Sequence, residues 1–137
     1  MFQSETIVRV RYAETDRMGY VYYGNYAIYF EVARVEALRK MGYSYKEMED
    51  DGIIMPVLEF SIKYFKPAYY DDELKIISKI IELPATRLRF EHETYNKAGV
   101  ILNKAHVTLV IVNQKTGKPC HAPGYFMDAL KKYFQGV

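Results

Sequence analysis

The chain has 137 residues, 50% of them apolar and 26% charged, with a formal net charge of +2 and one cysteine. This length suits one domain, residues 1–137, with a proper hydrophobic core, and the composition excludes a disordered chain. The charge balance gives no footprint for a nucleic-acid partner. No apolar run approaches the ~18 residues of a membrane span and MFQSETIVRV lacks a signal-peptide layout, so a cytoplasmic location is expected.

Thr6 to Tyr12 alternates, with Val8, Val10 and Tyr12 on one face and Arg9 and Arg11 on the other, which predicts a half-buried first strand. Ala13 to Gly24 breaks every period with two glycines and a polar cluster, and reads as a loop of the kind that carries chemistry. From Asn25, the natural N-cap, the spacing turns helical: Tyr26, Tyr29, Phe30, Ala33, Ala37 and Met41 recur at three or four residues until Gly42. Ile28, Val32 and Val35 make this helix apolar beyond one stripe, which predicts a buried central helix wrapped by other structure. Ser44 to Asp51 reads as a short helix, with Ser44 and Glu47 in capping-box spacing.

Met55 to Phe65 sets Leu58, Phe60, Ile62 and Tyr64 opposite Glu59, Ser61 and Lys63, and Pro67 ends this second strand. Three more strands are predicted at Glu73 to Glu82, Arg87 to Tyr95 and Val100 to Val112, the last two joined by the turn Lys97-Ala98-Gly99. The final strand reads as apolar on both faces, Ile101, Ala105, Val107, Leu109 and Ile111 against Leu102, Val110 and Val112. A helix from Gly124 to Phe134 follows the breaker Pro123, and Cys120, in the polar stretch QKTGKPCHAPG, reads as incidental. One strand, an enclosed helix and four consecutive strands make an α+β layout: an antiparallel five-stranded sheet wrapped around a long central helix.

The most specific segment is the loop before the helix, Tyr12-Ala13-Glu14-Thr15-Asp16-Arg17-Met18-Gly19-Tyr20-Val21-Tyr22-Tyr23-Gly24-Asn25-Tyr26. An aspartate, three residues to a glycine, then Val-aromatic-Tyr-x-Asn-Tyr leads into the helix; Phe30-Glu31-x-Ala33-Arg34 and Tyr64-x-x-Pro67-Ala68-x-x-Asp71-Asp72 follow in order. Over roughly residues 6 to 113 this resembles the 4-hydroxybenzoyl-CoA thioesterase family of hotdog-fold acyl-CoA thioesterases. It is similar also to the bacterial acyl-CoA thioesterases of the Tol-Pal gene cluster, which carry histidine where Tyr23 stands.

The resemblance implies a hotdog fold and hydrolysis of coenzyme A thioesters without a cofactor, with Asp16 as the catalytic carboxylate, nucleophile or general base. The main-chain N–H of Tyr23, at the positive end of the helix dipole, would polarise the carbonyl. The bare chemistry agrees, since thioester hydrolysis needs a carboxylate to attack or to activate water, and donors for the oxyanion. The bland alternative for Asp16 is a turn aspartate bonding neighbouring amides. Tyr20, Val21 and Tyr26 lie close enough in sequence to line the site, whereas Tyr64, Tyr69, Tyr70, Tyr125 and Tyr133 show no such case. The phosphates of coenzyme A call for basic and hydrogen-bonding groups, and in the resembled family a loop between the third and fourth strands contributes them. The resemblance thus makes Thr86 and Arg87, in Pro84-Ala85-Thr86-Arg87, the candidates, with Lys63, Lys66 and Lys118 the looser ones, while a solvated strand end explains Arg87 equally well.

His92, His106 and His121 show no metal-site spacing, so they read as packing or surface residues and no metal is expected. Glu31 and Arg34 read as a structural pair, within the helix or across a subunit boundary. An edge strand and the two-faced final strand predict a homo-oligomer, a dimer or more readily a homotetramer. In the resembled family the site lies at the subunit boundary, which would bring Asp16 and Tyr23 near Met55, Pro56, Val57 and Glu59 of a second copy. Two rival readings keep the same fold: a non-catalytic acyl-CoA or acyl-carrier binding module, and an acyl-CoA hydratase, whose chemistry typically pairs a carboxylate with a histidine that this loop lacks.

Overall fold

In the computed structural model, which describes residues 1–134, the chain runs β1 (Phe2–Arg9), a 3-10 turn (Tyr12–Glu14), α1 (Asn25–Lys40), α2 (Tyr45–Asp50) and β2 (Ile53–Ile54). There follow β3 (Val57–Tyr64), β4 (Glu73–Ile80), β5 (Arg87–Tyr95), β6 (Ile101–Val110), β7 (Val112–Asn113), β8 (Lys118–Pro119) and α3 (Gly124–Lys131). Five strands form one sheet in the order β1-β4-β5-β6-β3, each neighbouring pair antiparallel. A second sheet, β2-β7-β8, lies outside the sequence prediction, because strands of two residues are too short to show a period.

The period-two pattern turns Leu74, Ile76, Ser78 and Ile80 of β4 and Leu88, Phe90, His92 and Thr94 of β5 inward, and α1 packs on that face through Tyr26, Tyr29, Phe30, Ala33, Ala37 and Leu38. Phe30 stacks on His92 at 4.8 Å between ring centroids and meets Phe60 edge-on at 6.0 Å. Burying a ring of that size contributes about 2 kcal/mol. His92 is a packing residue: it is fully buried, stacked also on Phe90, and its Nδ1 lies 2.9 Å from Ser78 Oγ. Burial, reinforced by the charge of Arg34 and by His106, pushes its pKa down to about 3, so the ring is neutral at pH 7.

Several elements differ from the sequence reading. β1 starts at Phe2 instead of Thr6 and stops at Arg9, because the Arg11 N–H is taken by the Glu14 carboxylate (2.8 Å) and Tyr12 enters the 3-10 turn with its side chain exposed. Leu58 does not join Phe60 and Ile62 on the inner face, since β3 changes register between Val57 and Glu59. On β6 a second irregularity buries both Leu102 and Asn103, while Lys104 and His106 face outward and are exposed. The outer face of that strand is therefore polar at its middle, whereas β3 leaves Val57, Leu58, Phe60 and Tyr64 exposed.

The helix is not wrapped on all sides within one chain: Ile28 and Val32 remain 51% and 43% exposed. Asn25 is the first residue of α1 and not its cap, which is Gly24; the Asn25 amide instead donates to the Glu14 carbonyl at 2.8 Å. Arg34 is buried with Nε lacking a partner among the described residues, and no ion pair with Glu31 forms there. Ser44 caps α2 by accepting the Glu47 N–H at 3.1 Å, and the 96–100 turn closes through Asn96, with Gly99 at a φ of 81°. The last helix ends at Lys131, short of Phe134.

Candidate active site

The loop that leads into α1 is folded by its own backbone. The Asp16 N–H donates to Tyr20 O (2.9 Å), Gly19 N–H to Asp16 O (3.0 Å), Tyr22 N–H to Glu14 O (2.9 Å) and Val21 N–H to Ala68 O (2.9 Å). Gly19 sits at a φ of 87°, where a Cβ would be strained, which accounts for a glycine three residues after the aspartate. This tight return places Asp16 at the tip of the loop and brings Tyr23 to the start of the helix.

Asp16 is half-buried, and its Oδ1 accepts the Met18 N–H at 2.8 Å. The turn-forming role is therefore real, but it uses one oxygen; Oδ2 has no hydrogen-bond partner among the described residues. Asp16 lines a cavity of about 430 Å³ together with Met18, Tyr20, Val21, Tyr23 and Tyr26. The opposite wall is built from the end of β3 and its continuation, Tyr64, Phe65, Lys66 and Pro67. Tyr26 is buried, and that burial, with Tyr64 beside it, pushes its phenol up to about 12, so it stays protonated across the working range.

The helix start supplies donors. The N–H groups of Asn25 and Tyr26 turn back onto Tyr22 O (2.9 Å) and Tyr23 O (3.3 Å), whereas those of Tyr23 and Gly24 have no partner among the described residues. Orphan amides at the positive end of a helix are suited to hold a developing negative charge. Gly24 also leaves room for the half-exposed Tyr22 ring, which would have to shift from a Cβ placed there, at 2.8 Å.

Of the residues singled out in the sequence, Asp16, Tyr20, Val21, Tyr23 and Tyr26 come together at this cavity. Met55, Pro56, Val57, Glu59, Thr86 and Arg87 do not. They gather at the other end of the sheet, where Arg87 pairs with Val110 and Val110 N–H donates to Pro56 O at 3.0 Å. From Val57 to Tyr64 the strand covers seven steps, about 23 Å at ~3.3 Å each. Tyr64, for which sequence reasoning offered no case at the site, lines it, as do Met18, Phe65 and Pro67, which were passed over, and Lys66, which was given only second rank; the signal available was the Tyr64-x-x-Pro67 motif, which sits directly across from the loop.

An antiparallel five-stranded sheet packed on one long helix, with a cavity where the loop enters that helix, is the arrangement of the hotdog fold. The comparisons with known proteins agree: residues 10–130 match the Thioesterase-like superfamily, and the chain belongs to that family. It is 34% identical over 125 residues to the acyl-CoA thioester hydrolase YbgC of Escherichia coli, covering 91% of this chain and 93% of that protein. It is 27% identical to a 1,4-dihydroxy-2-naphthoyl-CoA hydrolase of Thermosynechococcus vestitus, over 88% of this chain and 86% of the relative. A solved DHNA-CoA thioesterase from Staphylococcus aureus superposes with a TM-score of 0.89 at 36% identity, covering 98% of this chain and 91% of that one. Among the described residues no helix is long and apolar enough to cross a membrane.

Proposed function

We propose that the chain, acting as a single catalytic domain, is an acyl-CoA thioesterase in which Asp16 is the catalytic carboxylate and the Tyr23 N–H polarises the thioester carbonyl. The observation that carries this reading is that Asp16 and Tyr23 line one cavity, and that among the described residues the Asp16 Oδ2 and the Tyr23 N–H have no hydrogen-bond partner. Hydrolysis adds water across the acyl C–S bond, giving the free acid and the coenzyme A thiol. Asp16 either attacks the carbonyl carbon or takes a proton from the attacking water, and in both cases the charge that develops on the carbonyl oxygen is met by the amides. Tyr20, Val21 and Tyr26 give the acyl group apolar and aromatic walls, and aromatic acyl groups such as those in the relatives' names belong among the substrates to test.

The same reading makes the enzyme a cytoplasmic homo-oligomer, a dimer or a homotetramer built from two dimers. β3 is an edge strand exposed at nearly every position, and antiparallel pairing of two β3 edges about a two-fold axis would carry Met55, Pro56, Val57, Glu59, Thr86 and Arg87 of one copy toward the Tyr64 end of the other. Arg87 and Lys66 would then flank one mouth and meet the phosphates of coenzyme A, while Arg34 could find its partner across the same boundary.

Release of free thiol from a panel of straight-chain and aromatic coenzyme A esters tests the function directly. Turnover with stoichiometric thiol and acid is the expected result. Tight binding with no thiol released, or loss of an enoyl ester with none, would overturn it in favour of a binding module or a hydratase.

A further inference from the structure

We infer that Glu14 is a positioning residue for this reaction: it clamps the loop bearing Asp16 to the first turns of α1, and thereby fixes the carboxylate relative to the Tyr23 amide. The inference rests on the functional reading given above. A carboxylate only 8% exposed is costly to bury unless its lone pairs are met. Here all are met from two directions. Oε1 accepts the Arg11 N–H and the Tyr29 hydroxyl, each at 2.8 Å, and Oε2 accepts Arg11 Nε at 3.1 Å and Nη2 at 2.9 Å.

The main chain of the same residue is tied just as closely. Its carbonyl accepts Tyr22 N–H at 2.9 Å and the Asn25 side-chain amide at 2.8 Å, and its N–H donates to Arg11 O at 3.0 Å. Glu14 thus joins the 3-10 turn, the returning Tyr22 segment and two successive turns of the helix. Asp16 follows two residues later and Tyr23 is the neighbour of Tyr22, so the separation of the two reacting groups is set through Glu14. Neither Glu14 nor Tyr29 lines the cavity, which makes their role one of placement and not of contact with substrate. An error of about 1 Å in such placement can cost up to ~100-fold in rate.

The test measures kcat and KM of the full chain by thiol release for Glu14→Ala, Glu14→Gln, Tyr29→Phe and Asp16→Asn, with folded fraction from circular dichroism. Glu14→Ala is expected to lower kcat about 30-fold and Tyr29→Phe about fivefold, with KM within about threefold of wild type. Glu14→Gln should recover part of the loss, since its amide oxygen still accepts from the Arg11 N–H and the Tyr29 hydroxyl while its NH2 group cannot accept from the exposed Arg11 guanidinium, which must turn away to solvent. Unchanged kcat per folded molecule in Glu14→Ala and Tyr29→Phe overturns the clamp, as does a fall in activity that only tracks the folded fraction. If Glu14→Ala does not fold, Tyr29→Phe, which keeps the ring, decides the matter alone. Activity surviving Asp16→Asn overturns the reading of the site and the clamp with it; dependence on Asp16 with unaffected Glu14 and Tyr29 variants overturns the clamp only.

Discussion

The two edges of the five-stranded sheet end in different ways. β1 largely alternates buried and exposed positions, carries Glu5 and Arg9 outward, and is crossed by Lys40, whose amine donates to Gln3 O at 3.0 Å. Charged side chains and a covering helix are how a lone edge is kept from pairing with another chain. β3 carries charges too, Glu59 and Lys63, but it does not alternate: seven of its eight residues are exposed, the large apolar Val57, Leu58, Phe60 and Tyr64 among them. One edge alternates and the other is exposed along nearly its whole length. β3 also runs from the Asp16 cavity to the Arg87 end, so under the proposed function chemistry and assembly would meet on it.

The largest expected effect isolates the cavity from the edge: Asp16→Asn should lower kcat by at least ~100-fold in a protein that still folds and still associates. Near-normal turnover in that variant would remove Asp16 from the chemistry. Next, Phe60→Lys on β3 should yield a monomer by sedimentation and reduce activity by roughly 10-fold or more, whereas Ile7→Lys on the exposed side of β1 should change neither assembly nor stability beyond about 0.5 kcal/mol. Equal behaviour of the two variants would erase the contrast between the edges. Arg87→Ala should raise KM for coenzyme A esters about fivefold, with a smaller effect on kcat, and the difference should shrink in high salt; identical KM values at low salt would remove Arg87 from the phosphates' path.

A separate effect, on stability and not on activity, concerns the buried core beneath α1. The pKa of His92 lies near 3 in the fold and near 6.5 when unfolded, so only the unfolded chain takes up its proton between those values. Stability should therefore fall as pH drops from about 6.5 toward 3, by up to about 1.4 kcal/mol per pH unit from this group, and be insensitive to it above 7. Denaturant titrations of His92→Gln should show a shallower acid slope than wild type. Parallel slopes would show that the ring is not held neutral.

What could be read from the sequence was whatever is encoded locally. The alternation of β5 gave its bounds, the spacing of Tyr26, Phe30 and Ala37 gave the buried face of α1, and the run from Asp16 to Tyr26 gave one wall of the cavity. Whatever depends on a partner segment was hidden. Register changes at Leu58 and Leu102 alter which side chains turn inward without any mark in the period, and Glu14 pulled Arg11 and Tyr12 out of the first strand through a bond that only the fold creates. Arg87 and Asp16 were grouped by chemistry, yet one chain keeps them a strand length apart.

Because β1 pairs with β4 and β3 with β6, neither edge strand lies beside a sequence neighbour in the sheet. During synthesis, β1 has no partner until residue 80 has been made, and β3 none until residue 110. Only β4, β5 and β6 form a continuous meander, so that unit is the natural nucleus onto which the two earlier strands and α1 must later dock. The apolar strand β3 thus stands uncovered on the nascent chain while both β4 and β5 are made, and refolding yield should fall steeply with protein concentration.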